Sequence, residues 1–302
     1  MTDILSLGPL LYHWSPERTR DFYYQTADEM DVDLVFLGEV VCSKRQPLHQ
    51  HYQQDILERL QRSGKQVIVS SLALITSEKE RETMLASLNQ SNDILMEIND
   101  LALLTHLSQR SFAVGPYVNV YNESTLKWLE EAGAQMVTLP FELPKQTLQL
   151  LASKATASLA VQVFGRMPLA ISARCYHARA FHLHKSNCTF VCDKHPDGLD
   201  VLTMDHDPFL TVNGTQTQSH THLTLLPELH ALQSMGIRHF RLSPHTLDMV
   251  KMAALFRAVQ RHTLEPEKAL LEFETLMGSR HSSNGFYHAV PGNQHFSGLN
   301  AS

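Results

Sequence analysis

The sequence predicts an α/β protein built as a (β/α)8 TIM-like barrel, intact or distorted, with a Cys/His-rich insertion between its seventh and eighth strands. Three observations predict it: eight short β-branched or apolar runs, longer amphipathic stretches between them, and one break in that alternation over residues 170–226. Alternation of this kind is the pattern of βα units closing on a parallel sheet, and eight strands is the number a barrel needs.

The runs lie at 4–7, 34–38, 67–71, 94–98, 113–118, 136–139, 159–164 and 237–242. Local chemistry punctuates the helices between them. Ser15-Pro16-Glu17 reads as an N-cap with proline at the first helical position, and Asn122 as the cap of a helix holding Leu126, Trp128 and Leu129. Gly64 and Gly133 each follow a helical stretch and precede a strand, where a C-terminal glycine belongs. Within the break, Asn213-Gly214 reads as a tight turn joining 209–212 to a return strand. Helices follow the last strand at 249–259 and 266–277. Residues 1–277 thus form a single barrel domain that includes the insertion, and 278–302 a tail whose Phe286, Tyr287 and Phe296 favour a course laid across the barrel.

The 302 residues are 43% apolar and 19% charged, an ordinary globular composition. A net charge of −6 argues against a broad surface for nucleic-acid phosphates. No apolar run reaches the roughly 18 residues of a spanning helix, and the N-terminus lacks a basic region ahead of its apolar residues. The expected location is the cytoplasm, where thiols stay reduced.

There are four cysteines. Cys42 directly follows the second strand, and Cys175-x12-Cys188-x3-Cys192 lies in the insertion. The C-terminal ends of barrel strands open on one face, so the remote cysteine and the group of three can meet there. Thiolates bind iron–sulfur clusters and zinc alike, and Cys-x2-Cys zinc knuckles are absent. Spacing leaves three readings open: a cubane cluster, a zinc ion, or buried inert thiols. Arg174, His177, Arg179, His182, His184, Lys185 and Lys194 make the neighbourhood basic, a setting that lowers thiol pKa and offsets the negative charge of a cluster, or else a solvated charged loop. Glu39, Arg45, Arg166, Arg174 and His177 adjoin the cysteines in sequence and fit binding of an anionic co-substrate, tuning of a cluster, or structural ion pairs.

Longer motifs carry a resemblance. Val163-Phe164-Gly165-Arg166-Met167-Pro168-Leu169-Ala170 runs on to Arg174-Cys175-Tyr176-His177-Ala178-Arg179, followed by Cys188-Thr189-Phe190-Val191-Cys192 and Pro196-Asp197-Gly198-Leu199. With Gly38-Glu39-Val40-Val41-Cys42-Ser43-Lys44-Arg45 upstream and Phe240-Arg241-Leu242-Ser243-Pro244 downstream, the chain resembles the collagenase-like peptidase family over nearly its whole length. The resemblance implies a barrel fold and matches Cys42, Cys175, Cys188 and Cys192 to the ligands of a [4Fe–4S] cluster. It further implies a heterodimer with a related protein, UbiU, acting with the lipid-carrier-like protein UbiT in oxygen-independent hydroxylation of a ubiquinone precursor. A cluster ligated at all four irons has no open site for substrate, so electron transfer is its expected task. The alternative expectation is a peptidase, or a binding module derived from one, with structural or zinc-binding cysteines. Neither a Gly-x-Ser-x-Gly elbow nor a His-Glu-x-x-His helix is present to support hydrolysis.

Overall fold

The protein is described by a computed structural model covering residues 3–90, 94–107 and 110–296. In chain order its strands are β1 (Ile4–Leu7), β2 (Leu34–Leu37), β3 (Gln66–Ser70), β4 (Met96–Ile98), β5 (Phe112–Val114), β6 (Ala134–Thr138), β7 (Ser158–Ile171), β8 (Leu199–Leu202), β9 (Pro208–Asn213), β10 (Gln216–Thr224), β11 (His239–Leu242) and β12 (Ser282–Ser283). The helices are α1 (Pro16–Glu29), α2 (Gln46–Arg62), α3 (Glu78–Gln90), α4 (Glu123–Glu131), α5 (Lys145–Lys154), α6 (Tyr176–Ala180), α7 (Leu229–Ser234), α8 (Met249–Gln260) and α9 (Pro266–Met277).

Strands β1 to β7 pair in sequence order, all parallel, and β11 pairs with both β7 and β1 to close an eight-stranded barrel. The strands have period two. Leu34, Phe36, Ile68, Ala113 and Met136 form one buried cluster inside the barrel, whereas Val35, Leu37 and Val137 join the larger core beneath the helices. Helix ends follow the predicted chemistry. Ser15 accepts from the backbone of Arg18 and Asn122 from that of Thr125, caps worth about 1 kcal/mol each. Gly64 and Gly133 take φ of 83° and 108°.

Above the apolar layer the interior turns polar. Arg241 of β11 pairs with Glu97 of β4 at 2.5 Å, and both are almost fully buried. Ser70 donates to Glu97 at 2.7 Å, Arg241 donates to Thr138, and the guanidinium lies over the Phe36 ring.

Two expectations change in detail. The fifth strand ends at Val114, because Gly115 and Pro116 start a 3-10 turn. The seventh does not stop at Phe164 but continues to Ile171, leaving the barrel after Gly165 to pair antiparallel with β10. Gly165 makes that exit possible: its φ is 113°, and a Cβ there would lie 2.5 Å from the Cβ of Ser243. The chain then forms the antiparallel series β10, β9, β8.

The β9–β10 hairpin turns one residue later than the sequence suggests. Asn213 pairs with Gln216, so Gly214 and Thr215 are the central residues, with Gly214 at φ 61°. Asn213 uses its side chain to hold the hairpin down, donating to the Leu11 carbonyl at 2.7 Å. Thr215 donates to the Val41 carbonyl, Gln216 to Tyr117, and Gln218 accepts from Tyr12. The hairpin therefore reaches the loops after β1, β2 and β5 and covers the C-terminal mouth of the barrel. Residues 278–296 also lie on the body: β12 pairs with β10, and the buried Tyr287 accepts from the Lys145 backbone. Residues 297–302 of the expected tail lie outside the described residues. No helix among the described residues is long and apolar enough to cross a membrane.

Candidate metal centre

Cys42, Cys175, Cys188 and Cys192 line one small pocket at the barrel rim, shared with Arg45, His177, Lys185, Phe190 and Gly214. Different devices deliver each sulfur. The loop after β2 is turned by Glu39, whose carboxylate accepts from the backbone N–H groups of Val41 (2.7 Å) and Cys42 (2.9 Å). Cys175 is the N-cap of α6, its sulfur accepting from the Ala178 N–H at 3.3 Å. Cys188 follows a 3-10 turn at Lys185–Asn187, and Cys192 sits within a second at Val191–Lys194, entered through Phe190 at φ 56°. All four thiols are unpaired, Cys42 buried and the others half-buried.

The two halves of the site are stitched together by polar contacts. Ser43 donates to Glu80 of α3 at 2.6 Å, while Lys185 of the insertion approaches the same carboxylate at 3.6 Å. Against the effect of burial, hydrogen bonds from Ser43 and Thr76 hold the Glu80 carboxyl down at about 2. Lys44 donates to the Ser186 carbonyl and lies 3.9 Å from the Cys188 sulfur. The His177 backbone N–H meets the Gly214 carbonyl at 3.4 Å, and the His177 ring contacts His195 at 2.9 Å.

Arg45 lies at the base of the pocket, 1% exposed. It donates through Nη1 to the Leu11 carbonyl (2.8 Å) and through Nη2 to Asn213 (3.1 Å), while its Nε has no hydrogen-bond partner. Burial pushes the Cys42, Cys175 and Cys192 thiols up from their ordinary value, and the positive charge of Arg45 works against that shift at all three.

Not every residue singled out in the sequence reaches the pocket. Arg166 lies in the outgoing half of β7, bound to the Ser219 carbonyl and 3.5 Å from Asp200. Arg174 is exposed, its backbone N–H bonded to Ser172. Conversely, Lys44, Glu80, His195 and Gly214 belong to the site without having been singled out for it. Lys44 stands two residues from Cys42, which was a legible signal. Glu80 is brought in from α3 and carries none.

A family comparison bears on this arrangement, since the model of Peptidase family U32 matches residues 14–297, a span that contains all four cysteines. The chain belongs to this family. Among solved structures, this U32 member is similar to a chain of the tryptophan synthase complex from Pyrococcus furiosus, at 14% identity and TM-score 0.40, covering 92% of this chain and 100% of that one. It is also similar to dihydrodipicolinate synthase from Agrobacterium tumefaciens, at 10% identity and TM-score 0.37, covering 89% and 78%. A third is phospho-2-dehydro-3-deoxyheptonate aldolase from Thermotoga maritima, at 11% identity and TM-score 0.35, covering 93% and 71%. Scores this low add nothing to the fold class, which the closed sheet itself establishes.

Proposed function

We propose that this chain is a UbiV-like iron–sulfur subunit. It holds one [4Fe–4S] cluster on Cys42, Cys175, Cys188 and Cys192 and works with a UbiU-like partner and a UbiT-like lipid carrier in oxygen-independent hydroxylation of a ubiquinone precursor. One observation carries the reading: the four cysteines, separated by up to 150 positions in sequence (192 − 42), line a single pocket over a buried cation.

The donor set fits such a group. Four soft sulfur donors suit iron–sulfur or zinc and not a hard cation. Tetrahedral zinc with Zn–S near 2.3 Å needs its thiolates roughly 3.8 Å apart. Among the described residues, no three His, Cys, Asp or Glu side chains converge to hold a single ion. A cubane takes one thiolate per iron at wider spacing, and the one-plus-three cysteine set without Cys-x2-Cys knuckles favours it. Bound there, a cluster supplies one-electron transfer.

The chain's own residues do the rest. Glu39 fixes the Cys42 loop, Glu80 joins that loop to the insertion, and Lys44 and Arg45 place positive charge beside the sulfurs. The β9–β10 hairpin covers the barrel mouth where barrel enzymes usually bind substrate, and the buried bonds of Tyr12, Gln218, Gln216 and Tyr117 fill it. That arrangement favours an electron-handling subunit, with substrate bound elsewhere in an assembly.

The family's description suggests peptide hydrolysis, but the pairing of Asp197 with His245 gives it little support. Asp197 faces His245 Nδ1 at 3.5 Å, while His245 Nε2 already accepts from the Arg166 backbone N–H at 3.1 Å and is not free to act as a base.

Anaerobically purified or reconstituted chain is expected to carry near four iron and four sulfide. Replacing any one of the four cysteines by Ala should remove most of the iron and the visible absorption. Stoichiometric zinc in a colourless protein would overturn the proposal.

A further inference from the structure

Four arginines are buried among the described residues: Arg45, Arg166, Arg241 and Arg257. Three have carboxylates. Arg241 pairs with Glu97 at 2.5 Å, Arg257 with Asp33 at 2.8 Å, and Arg166 with Asp200 at 3.5 Å. Among the described residues no carboxylate lies within 4.0 Å of Arg45, the most deeply buried of the four. A guanidinium cannot shed its proton to relieve burial, so it needs negative charge from another source. Negative charge reaches it first from the Glu39 carboxylate, which the backbone N–H groups of Val41 and Cys42 also engage, and then from the thiols of Cys192 and Cys42 that line the pocket with it.

We infer that Arg45 is the counter-cation of the pocket, a positioning residue that offsets the negative charge of a thiolate-ligated cluster, helping to retain it and raising its reduction potential. This rests on the proposed cluster. The Leu11 carbonyl and Asn213 hold both terminal nitrogens and so aim the charge at the sulfurs. Gly214 keeps the seat open, since a Cβ there would lie 2.9 Å from Arg45 Nη2 and 3.3 Å from Val41 Cγ1. A fixed positive charge stabilises the reduced state of a cluster more than the oxidised state, because reduction adds an electron beside it.

The test uses the full chain and its Arg45→Met and Arg45→Lys variants, reconstituted with iron and sulfide under anaerobic conditions. Iron and sulfide content, the midpoint potential and far-UV circular dichroism are read for each. Wild type should carry the cluster at the highest potential, Arg45→Met at a distinctly lower one, and Arg45→Lys near wild type. An Arg45→Met chain that folds but loses its iron, with loading restored in Arg45→Lys, supports the same role. Full loading and an unchanged potential in Arg45→Met overturn the inference while leaving the cluster in place. Folded Met and Lys variants that both fail to load also overturn it, since geometry rather than charge would then be decisive. A wild-type chain that takes up no cluster overturns the function proposed above, and this inference with it.

Discussion

The barrel interior and the rim each bury an arginine, and they treat it differently. Arg241 inside the barrel is given Glu97, Thr138 and the face of Phe36, all from the sheet itself. Arg45 under the insertion receives only neutral acceptors, Leu11 O and Asn213 Oδ1. The interior is electrostatically complete as folded. At the rim, among the described residues, no carboxylate makes an ion pair with the guanidinium, which faces Glu39 at longer range and the thiols of Cys192 and Cys42.

The largest effect expected from this contrast comes from Glu97→Ala, which strands Arg241 in the interior and should cost about 3–5 kcal/mol in urea unfolding. Adding Arg241→Met to that variant should recover a substantial part of the loss. Arg45→Met in the cluster-free chain should cost less, about 1–3 kcal/mol, because it removes two hydrogen bonds and only a longer-range attraction to Glu39. A loss as large as that of Glu97→Ala would break the comparison.

Next come the two strained glycines. Gly165→Ala, at φ 113° and pressed by Ser243, should destabilise the barrel by about 2–3 kcal/mol in the same assay. Gly214→Ala, at φ 61°, should cost about 1 kcal/mol and act chiefly by displacing Arg45, lowering iron retention more than stability.

The last expected effect is that of pH, comparable in size to those of the two glycines. Burial, and then the charge of Arg241, lower the His239 pKa to about 3, so this side chain stays neutral in the fold while it protonates below about 6.5 in the unfolded chain. The unfolded state therefore binds more protons as pH falls. The stabilisation is complete above pH 6.5 and is lost on the way down toward 3, by up to about 2 kcal/mol at pH 5. His239→Phe should flatten the decline in unfolding midpoint between pH 7 and 5. A decline of undiminished slope would move the sensitivity from the barrel to the histidines of the rim.

Much of the barrel was legible because its signals are local. Eight apolar runs, an N-cap serine before proline and glycines after helices each act within a few residues, and the sheet uses all of them. Polar pairing inside the barrel was not legible as a pairing. A lone charge within Met96-Glu97-Ile98 shows an anomaly but cannot name Arg241, 144 positions away (241 − 97), as its partner. The same limit applies at the rim, where adjacency to the cysteines suggested Arg166 and Arg174 along with Arg45. Only Arg45 lines the pocket, because β7 carries Arg166 outward along the sheet and the loop after it leaves Arg174 in solvent.

By itself, then, the sequence determined the βα alternation, the hairpin turn near Asn213 to within a residue, and a set of four cysteines separated as one and three. Tertiary structure alone decided that the seventh strand runs on past the barrel and that its hairpin closes the mouth. It also decided that a buried arginine with no carboxylate in ion-pair contact lies beside the sulfurs. The physical reason is range: caps, turns and strand periodicity depend on neighbours along the chain, whereas burial and ion pairing exist only once distant segments have met.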